Sequence, residues 1–153
     1  MRQRTGELLG FTPRQRPPVK SQFANITLYR GLDLAGQLLN ALATSPYLAA
    51  GSEDLAAFHR QASAVAQQMG AVTVSLVTQA GLQIVNTLFP FDSPPRPRSR
   101  PETVKAVFET GRPAVANLWR GPVTGIYQYG VDIPIWRDGR VLYDLAISMP
   151  FTR

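Results

Sequence analysis

Hydrophobic residues occupy every second position near the end of the chain, a pattern typical of half-buried strands. The apolar positions in the first half of this stretch are Tyr127, Tyr129, Val131, Ile133 and Ile135, and those in the second half are Val141, Tyr143, Leu145, Ile147 and Met149. Asp138-Gly139 separates the two runs, and this pair suits the positive φ angles of a two-residue hairpin turn. The pattern therefore predicts a long β-hairpin over residues 125–149.

A second hairpin is predicted over residues 72–86. Apolar and polar side chains alternate on both of its strands, which are separated by a polar turn that contains Gly81. Asn86 is a polar residue on the otherwise apolar face of the return strand, so it is a candidate ligand-binding group. Residues 114–119 form one further predicted strand, which brings the total to five.

Apolar residues recur at three- and four-residue steps in three other segments, which predicts three helices. The first covers residues 23–43, the second residues 52–69 and the third residues 102–110. Ser52 is the expected N-cap of the second helix, and Gly70 is the expected left-handed residue that ends it. Gly111 is expected to end the third helix in the same way.

The order helix, helix, strand, strand, short helix and three strands predicts an α+β fold. We expect a five-stranded antiparallel sheet with the N-terminal helices packed on one face. A length of 153 residues suits one domain, predicted to span residues 21–153. Residues 1–20 hold five basic residues, one acidic residue and three prolines, and are predicted to form a flexible basic arm.

The formal charge of +6 raises the question of nucleic-acid binding. Much of the excess lies in the basic arm, and a second cluster consists of Arg96, Arg98 and Arg100, which alternate with prolines. Such alternation predicts an extended, solvated loop. Basic residues do not interleave with aromatic ones as they do in nucleic-acid-binding modules, so no specific nucleic-acid partner is predicted.

The residue types needed for most enzyme chemistry are scarce. The absence of cysteine excludes disulfides, thiolate metal sites and cysteine nucleophiles. His59 is the only histidine, and neither HExxH, GxSxG nor a glycine-rich phosphate loop occurs. We therefore predict no catalytic residue, no metal and no cofactor; an enzyme would require His59 or a carboxylate pair to line a cleft. No apolar run reaches 18 residues, so no membrane span is predicted.

The most suggestive candidate site is a group of aromatic and charged residues near the third strand and the long hairpin. Trp119, Tyr127 and Tyr129 would supply an apolar wall with hydrogen-bonding tips. Arg120 would hold a carboxylate through its planar guanidinium, and it lies beside a glycine-proline loop. The alternative is that the aromatic residues are ordinary core positions.

Two carboxylates of the long hairpin leave a similar alternative open. Asp132 and Asp144 fall on the face opposite the tyrosines. In a sheet covered on one side, that face is exposed to solvent. If the sheet instead curls around a small molecule, Asp132 becomes a candidate partner for an amine or a hydroxyl group.

Residues from about Leu32 to Met149 resemble a known family. The specific portions are Asn86-Thr87 followed by Pro90-Phe91, the run FETGRP at residues 108–113, and the closing hairpin with Pro134 and Asp138-Gly139. These pieces are similar to the extracytoplasmic PAS-like sensor domains, of the Cache type, that occur in bacterial transmembrane histidine kinases and related signalling proteins.

The resemblance implies a long N-terminal helix, a central antiparallel sheet and a small-molecule cavity between the sheet and residues 89–124. It implies a non-catalytic domain that senses a small molecule, with a carboxylate as one expected ligand, on the extracytoplasmic side of a membrane receptor. The alternative is a PAS-like protein-interaction module that holds no ligand and forms a homodimer through its first helix.

Overall fold

The computed structural model describes the backbone of residues 22–151 and the side chains of residues 30–151. The helices are α1 (Gln22–Ala43), α2 (Leu55–Met69) and α3 (Pro101–Thr110), with a short 3-10 turn at Pro46–Leu48. The strands are β1 (Thr73–Val77), β2 (Leu82–Asn86), β3 (Arg96–Pro97), β4 (Ala114–Arg120), β5 (Tyr127–Arg137) and β6 (Arg140–Pro150). The predicted basic arm, residues 1–20, lies outside the described residues, and the predicted domain boundary therefore stays a prediction.

The strands form one antiparallel sheet in the order β3-β2-β1-β6-β5-β4. This confirms the predicted α+β class and antiparallel sheet. The sheet has six strands where five were predicted, because Arg96 and Pro97 pair with Gln83 and Leu82 of β2. Proline is tolerated there because β3 is an edge strand and needs no hydrogen bond from its outer side.

The long hairpin forms as predicted from β5 and β6 at the centre of the sheet. Asp138 and Gly139 have φ angles of 53° and 75°, the two positive values that a type I′ turn requires. The alternation of residues along both strands gives the sheet two different faces.

Helices α1 and α2 cover the first face. Their buried side chains form the main core with the apolar positions of β1, β5 and β6. The largest of its fully buried side chains are Leu32, Leu39, Phe58, Leu76, Leu145 and Ile147. Helix α2 begins at Asp54, whose carboxylate accepts a hydrogen bond from the Ala57 amide at 3.0 Å, and not at the predicted Ser52. It ends at Gly70 as predicted, with a φ angle of 66°.

The second face of the sheet is also covered. Helix α3 contacts β4, β5 and β6 there, and its buried Val104 and Val107 are not part of the main core. Asp132 and Asp144 point to this face and are fully buried. Of the two alternatives left open for this face, the solvent-exposed one does not apply, because α3 and the arginine-proline segment before it cover the sheet.

Candidate ligand-binding site

A cavity of about 280 Å³ lies between the second face of the sheet and two loops, residues 88–99 and residues 121–124. The side chains that matter most for its chemistry are Ser75 on β1, Asn86 on β2, Arg98 before α3, Trp119 on β4, Gln128 on β5 and Ser148 on β6. Six segments of the chain thus contribute to one concave surface that is partly open to solvent. Such a concave site at the face of a sheet is where small molecules commonly bind.

Gly130 on β5 makes room for the Trp119 ring in the cavity wall. A Cβ atom at this position would lie 2.9 Å from the Ile147 carbonyl oxygen and 3.1 Å from Cη2 of Trp119. The Trp119 ring therefore packs directly over the strand. The Arg100 guanidinium lies over the face of this ring, 5.5 Å from its centre. This cation–π contact helps to hold the indole in the cavity wall.

Arg98 and Asp132 form a buried ion pair beside the cavity. Nη2 of Arg98 donates to Oδ1 of Asp132 at 3.1 Å, and Nη1 lies 3.1 Å from Oδ2. The Arg98 side chain is only 10% exposed. The prediction of a solvated arginine loop is therefore wrong for Arg98, because a carboxylate buried on the sheet requires a counter-ion.

The second of these two contacts leaves Arg98 with spare hydrogen-bonding capacity. Although Nη1 is close to Oδ2, the direction of its N–H groups is poor, and Nη1 has no hydrogen-bond partner within residues 22–151. A guanidinium carries five N–H donors. Arg98 can therefore stay paired with Asp132 and still donate to a molecule in the cavity that it lines.

Asp144 completes the buried cluster. The pKa of Asp144 is raised to about 10, chiefly by burial and also by the charge of the neighbouring Asp132 and a hydrogen bond with it, whereas Arg98 opposes the shift. At neutral pH Asp144 therefore carries a proton. With Arg98 positive, Asp132 negative and Asp144 neutral, the cluster has no net charge.

Three further polar atoms in the cavity wall lack partners. In the part of the chain that the structure describes, Nε1 of Trp119, Oε1 of Gln128 and Oγ of Ser148 are buried and make no hydrogen bond. Each such group costs about 1–3 kcal/mol if it stays unsatisfied. A donor, an acceptor and a hydroxyl without protein partners therefore belong to residues on three neighbouring strands that border the same cavity.

The six residues predicted as a site are not brought together. Trp119 and Asn86 line the cavity. Asn86 already holds its own loop, since its side-chain oxygen accepts from the Thr73 hydroxyl at 3.0 Å and from the Leu88 amide at 2.9 Å. Asp132 lies behind Arg98.

The other three predicted residues lie outside the cavity lining. Arg120 is exposed, and its Nε donates to the Gly125 carbonyl at 3.1 Å. Tyr127 is 55% exposed. Tyr129 belongs to the core on the opposite face, against α1. Alternation explains the last two positions, because odd-numbered residues of β5 face the helices.

Sequence reasoning missed Arg98, Gln128 and Ser148. Arg98 gave no signal of a site because it lies in a proline-rich run, which is typical of solvated loops. Gln128 and Ser148 did carry a signal: they are polar and fall on the same face as Asp132 and Asp144 in an otherwise apolar hairpin. A row of polar residues on one face of central strands indicates either solvent or a site.

His59 has a structural role in the described fold. Its Nε2 lies 2.8 Å from the Phe89 carbonyl oxygen and 3.3 Å from the Asn86 carbonyl oxygen, so this nitrogen donates to one or both. These bonds attach the loop after β2 to α2. Within residues 22–151 no group of three or more histidine or carboxylate side chains is arranged to hold a metal ion.

Solved structures similar to this chain are sensor domains. The ligand-binding domain of the Campylobacter jejuni chemoreceptor Tlp3, solved with L-valine, is 15% identical, with a TM-score of 0.60 over 97% of this chain and 59% of that one. The V. cholerae histidine kinase DctB sensor domain is 18% identical, with a TM-score of 0.54 over 75% of this chain and 43% of that one. The E. coli DcuS sensor domain is 16% identical, with a TM-score of 0.55 over 77% of this chain and 86% of that one.

These likenesses confirm the PAS-like sensor-domain fold that the sequence predicted. The chain spans about three fifths of the Tlp3 domain, at 59% of its length. No protein-family model and no curated protein matches the sequence. Among the helices of residues 22–151, none is both long enough and apolar enough to cross a membrane.

Proposed function

We propose that this chain is a non-catalytic signalling domain that senses a small molecule bound in the cavity between the sheet and residues 88–99. The observation that carries the proposal is that three residues of the cavity lining, Trp119, Gln128 and Ser148, each have a buried polar atom without a hydrogen-bond partner, and that they lie beside Arg98. A fold built only for stability would satisfy such atoms internally, since buried polar groups are nearly always hydrogen-bonded.

The chemistry of the wall favours a ligand with a carboxylate group. Arg98 and Trp119 both line the cavity and carry hydrogen-bond donors, and a carboxylate is an acceptor that suits both residues. Oε1 of Gln128 is an acceptor and suits an ammonium or hydroxyl group on the same molecule. The cavity volume of about 280 Å³ equals the share of about nine water molecules in liquid water, which fits a small metabolite.

Amino acids and other small carboxylates are therefore the ligand class to test first. The similar Tlp3 domain was solved with L-valine. An amino acid presents both a carboxylate and an ammonium group, which matches the donors and the acceptor of this cavity. Arg98 takes the role that the sequence analysis gave to Arg120.

The main alternative, a ligand-free module that dimerises through its first helix, needs an apolar helix face on the surface. Over residues 30–43 the exposed positions of α1 are Arg30, Gln37, Asn40 and Ala41, which are mostly polar. The interior on the second face of the sheet contains a cavity and is not fully packed. Both observations favour ligand sensing.

Signal output is proposed to pass from the cavity to α1. Strand β5 contributes Gln128 to the cavity wall and, on its other face, Tyr129 to the contact with Gly31 of α1. If β5 can take two positions and the ligand binds one of them better, binding shifts the population toward that position. Helix α1 then moves with β5 through this contact. We propose that the domain performs this role on the extracytoplasmic side of a membrane receptor.

Thermal-shift measurements against amino acids and small mono- and dicarboxylates test the proposal. A compound at 100 times its Kd should raise the free energy of unfolding by about 2.7 kcal/mol, because it binds only the folded state. The matched variant is Gln128→Leu, which keeps the approximate size of the side chain and removes the acceptor. The same compound should stabilise this variant less. If no compound stabilises the protein, or if the stabilisation is unchanged in this variant, the cavity is not the sensing site.

A further inference from the structure

Asp144 is a fully buried carboxyl group for which its surroundings supply no donor. Both of its oxygen atoms lack a hydrogen-bond donor within residues 22–151. The charged groups that face it are Asp132 on β5 and Arg98 on the segment before α3, with Glu102 of α3 close to Arg98. Asp144 lies opposite Pro134 on β5, two positions from Asp132, so the polar group beside it is a second carboxyl group.

Two ionised carboxylates beside a single arginine would leave one negative charge buried. Such a charge is costly in a protein interior unless it is paired. One proton shared between the two carboxyl groups removes it. Asp132 already accepts from Nη2 of Arg98, so the proton belongs on Asp144. Its O–H group then donates a hydrogen bond to Asp132.

We propose that Asp144 is a proton-carrying positioning residue, which as a neutral acid holds Asp132 against Arg98 and keeps the cluster uncharged so that a carboxylate in the cavity can bind Arg98. This inference rests on the proposed function, because it assigns the anion to the same cavity. Asp144 itself does not line the cavity and acts through Asp132 and Arg98.

Loss of the proton reverses the electrostatics of the site. Ionised Asp144 gives the cluster a net charge of −1, which repels an anion and competes for the donors of Arg98. Because burial and the neighbouring Asp132 raise the pKa of Asp144 to about 10, the proton is retained through the neutral range. Binding of a carboxylate should therefore be independent of pH near neutrality and weaken at alkaline pH.

The first experiment measures the proton directly, by infrared spectroscopy of the full chain at neutral pH. Wild-type protein should show the C=O stretch of a buried protonated carboxyl group, and Asp144→Asn should lack that band. Absence of the band in the wild type, or its persistence in Asp144→Asn, would overturn the proposal. This result does not depend on any ligand.

The second experiment measures binding of acetate by saturation-transfer NMR on its methyl protons, with acetamide as the uncharged control. Acetate affinity for the wild type should be constant near neutral pH, fall about twofold where half of Asp144 is ionised, and fall about tenfold one pH unit higher. Asp144→Asn keeps a donor and cannot ionise, so its acetate affinity should match the wild type near neutrality and stay constant. Acetamide binding should not follow this profile.

An alkaline loss of acetate affinity that is the same in Asp144→Asn would refute the role of Asp144. If acetate fails to bind while another small carboxylate stabilises the protein, the sensing function stands and this inference falls. If no small carboxylate or amino acid binds at all, the proposed function itself fails. Asp144→Leu, which has no donor, should lose at least tenfold in acetate affinity even at neutral pH; unchanged affinity would also contradict the proposal.

Discussion

The phenol of Tyr129 occupies the space beside Gly31 in which any other residue at position 31 would place its Cβ atom. Tyr129 is buried, and burial raises the pKa of its hydroxyl. The two residues join the N-terminal helix to the central strand β5. The neighbours of Tyr129 in β5, Gln128 and Gly130, point to the opposite face, where the cavity lies. This contact therefore connects α1 with a strand that forms part of the cavity wall.

We predict that Gly31→Ala destabilises the protein by about 1–3 kcal/mol, because the added methyl group collides with the Tyr129 ring. In an exposed helix the same change would stabilise by about 1 kcal/mol. Urea denaturation followed by circular dichroism measures the difference.

Tyr129→Phe provides the matched test of this contact. It removes the hydroxyl oxygen, which is the atom nearest to the added methyl group. The double variant Gly31→Ala/Tyr129→Phe should be destabilised by less than the sum of the two single variants. A Gly31→Ala protein that is as stable as the wild type would show that α1 and β5 are not in close contact.

We predict that Arg98→Met destabilises the protein by about 3–5 kcal/mol, because it leaves Asp132 buried without its counter-ion. The double variant Arg98→Met/Asp132→Leu should regain most of this stability, since both charges are then absent. Neither variant should be stabilised by small carboxylates. Chemical denaturation gives the free energies, and equal destabilisation of the two variants would contradict a paired role.

We predict that Asp144→Asn changes how stability depends on pH. The pKa of Asp144 is about 10 in the folded protein against an ordinary value of 3.8, so between these values the folded state holds a proton that the unfolded state has lost. The wild type should therefore lose stability as pH rises through this window, by up to about 1.4 kcal/mol per pH unit.

Asparagine at this position cannot titrate, so the stability of Asp144→Asn relative to the wild type should increase with pH. Urea denaturation at a series of pH values from 5 to 9 measures the two slopes. Parallel curves for the two proteins would mean that Asp144 is ionised in the folded state.

We predict that Trp119→Phe weakens binding of a stabilising carboxylate, because it removes the Nε1–H donor in the cavity wall and keeps an aromatic ring. A hydrogen bond to a charged group contributes about 1.5–3 kcal/mol, which corresponds to roughly a 10- to 150-fold change in Kd. Isothermal titration calorimetry measures the affinity. Arg120→Ala is the control, since Arg120 lies outside the cavity lining; a larger effect of Arg120→Ala would restore the site predicted from sequence.

Several features of the fold follow from local sequence. The Asp138-Gly139 turn was predictable because only a few residue pairs accept two positive φ angles in succession. The helix end at Gly70 was predictable because the left-handed residue that ends a helix is usually glycine. The N-cap of α2 is Asp54 and not the predicted Ser52, because both residues are good N-caps and local sequence does not choose between them.

The site was predicted only in part. Trp119 and Asn86 line the cavity, but the tyrosines of the long hairpin do not. Aromatic residues fit a core and a ligand pocket equally well, so their identity alone does not choose between them. Which face is the core depends on which face the longest helices cover.

The sequence by itself determined the three helices, the two hairpins and the division of hairpin residues between two faces, because these depend on periodicity and on backbone angles of neighbouring residues. Only the tertiary structure decided that the second face is covered and that Arg98 reaches Asp132, 34 positions away in sequence. An ion pair of this kind depends on the path of a loop over the sheet, and the arginine-proline pattern suits a solvated loop as well as a buried one. The physical reason is that burial, and with it the need for a counter-ion and a proton, exists only once the sheet, α3 and the loop have packed together.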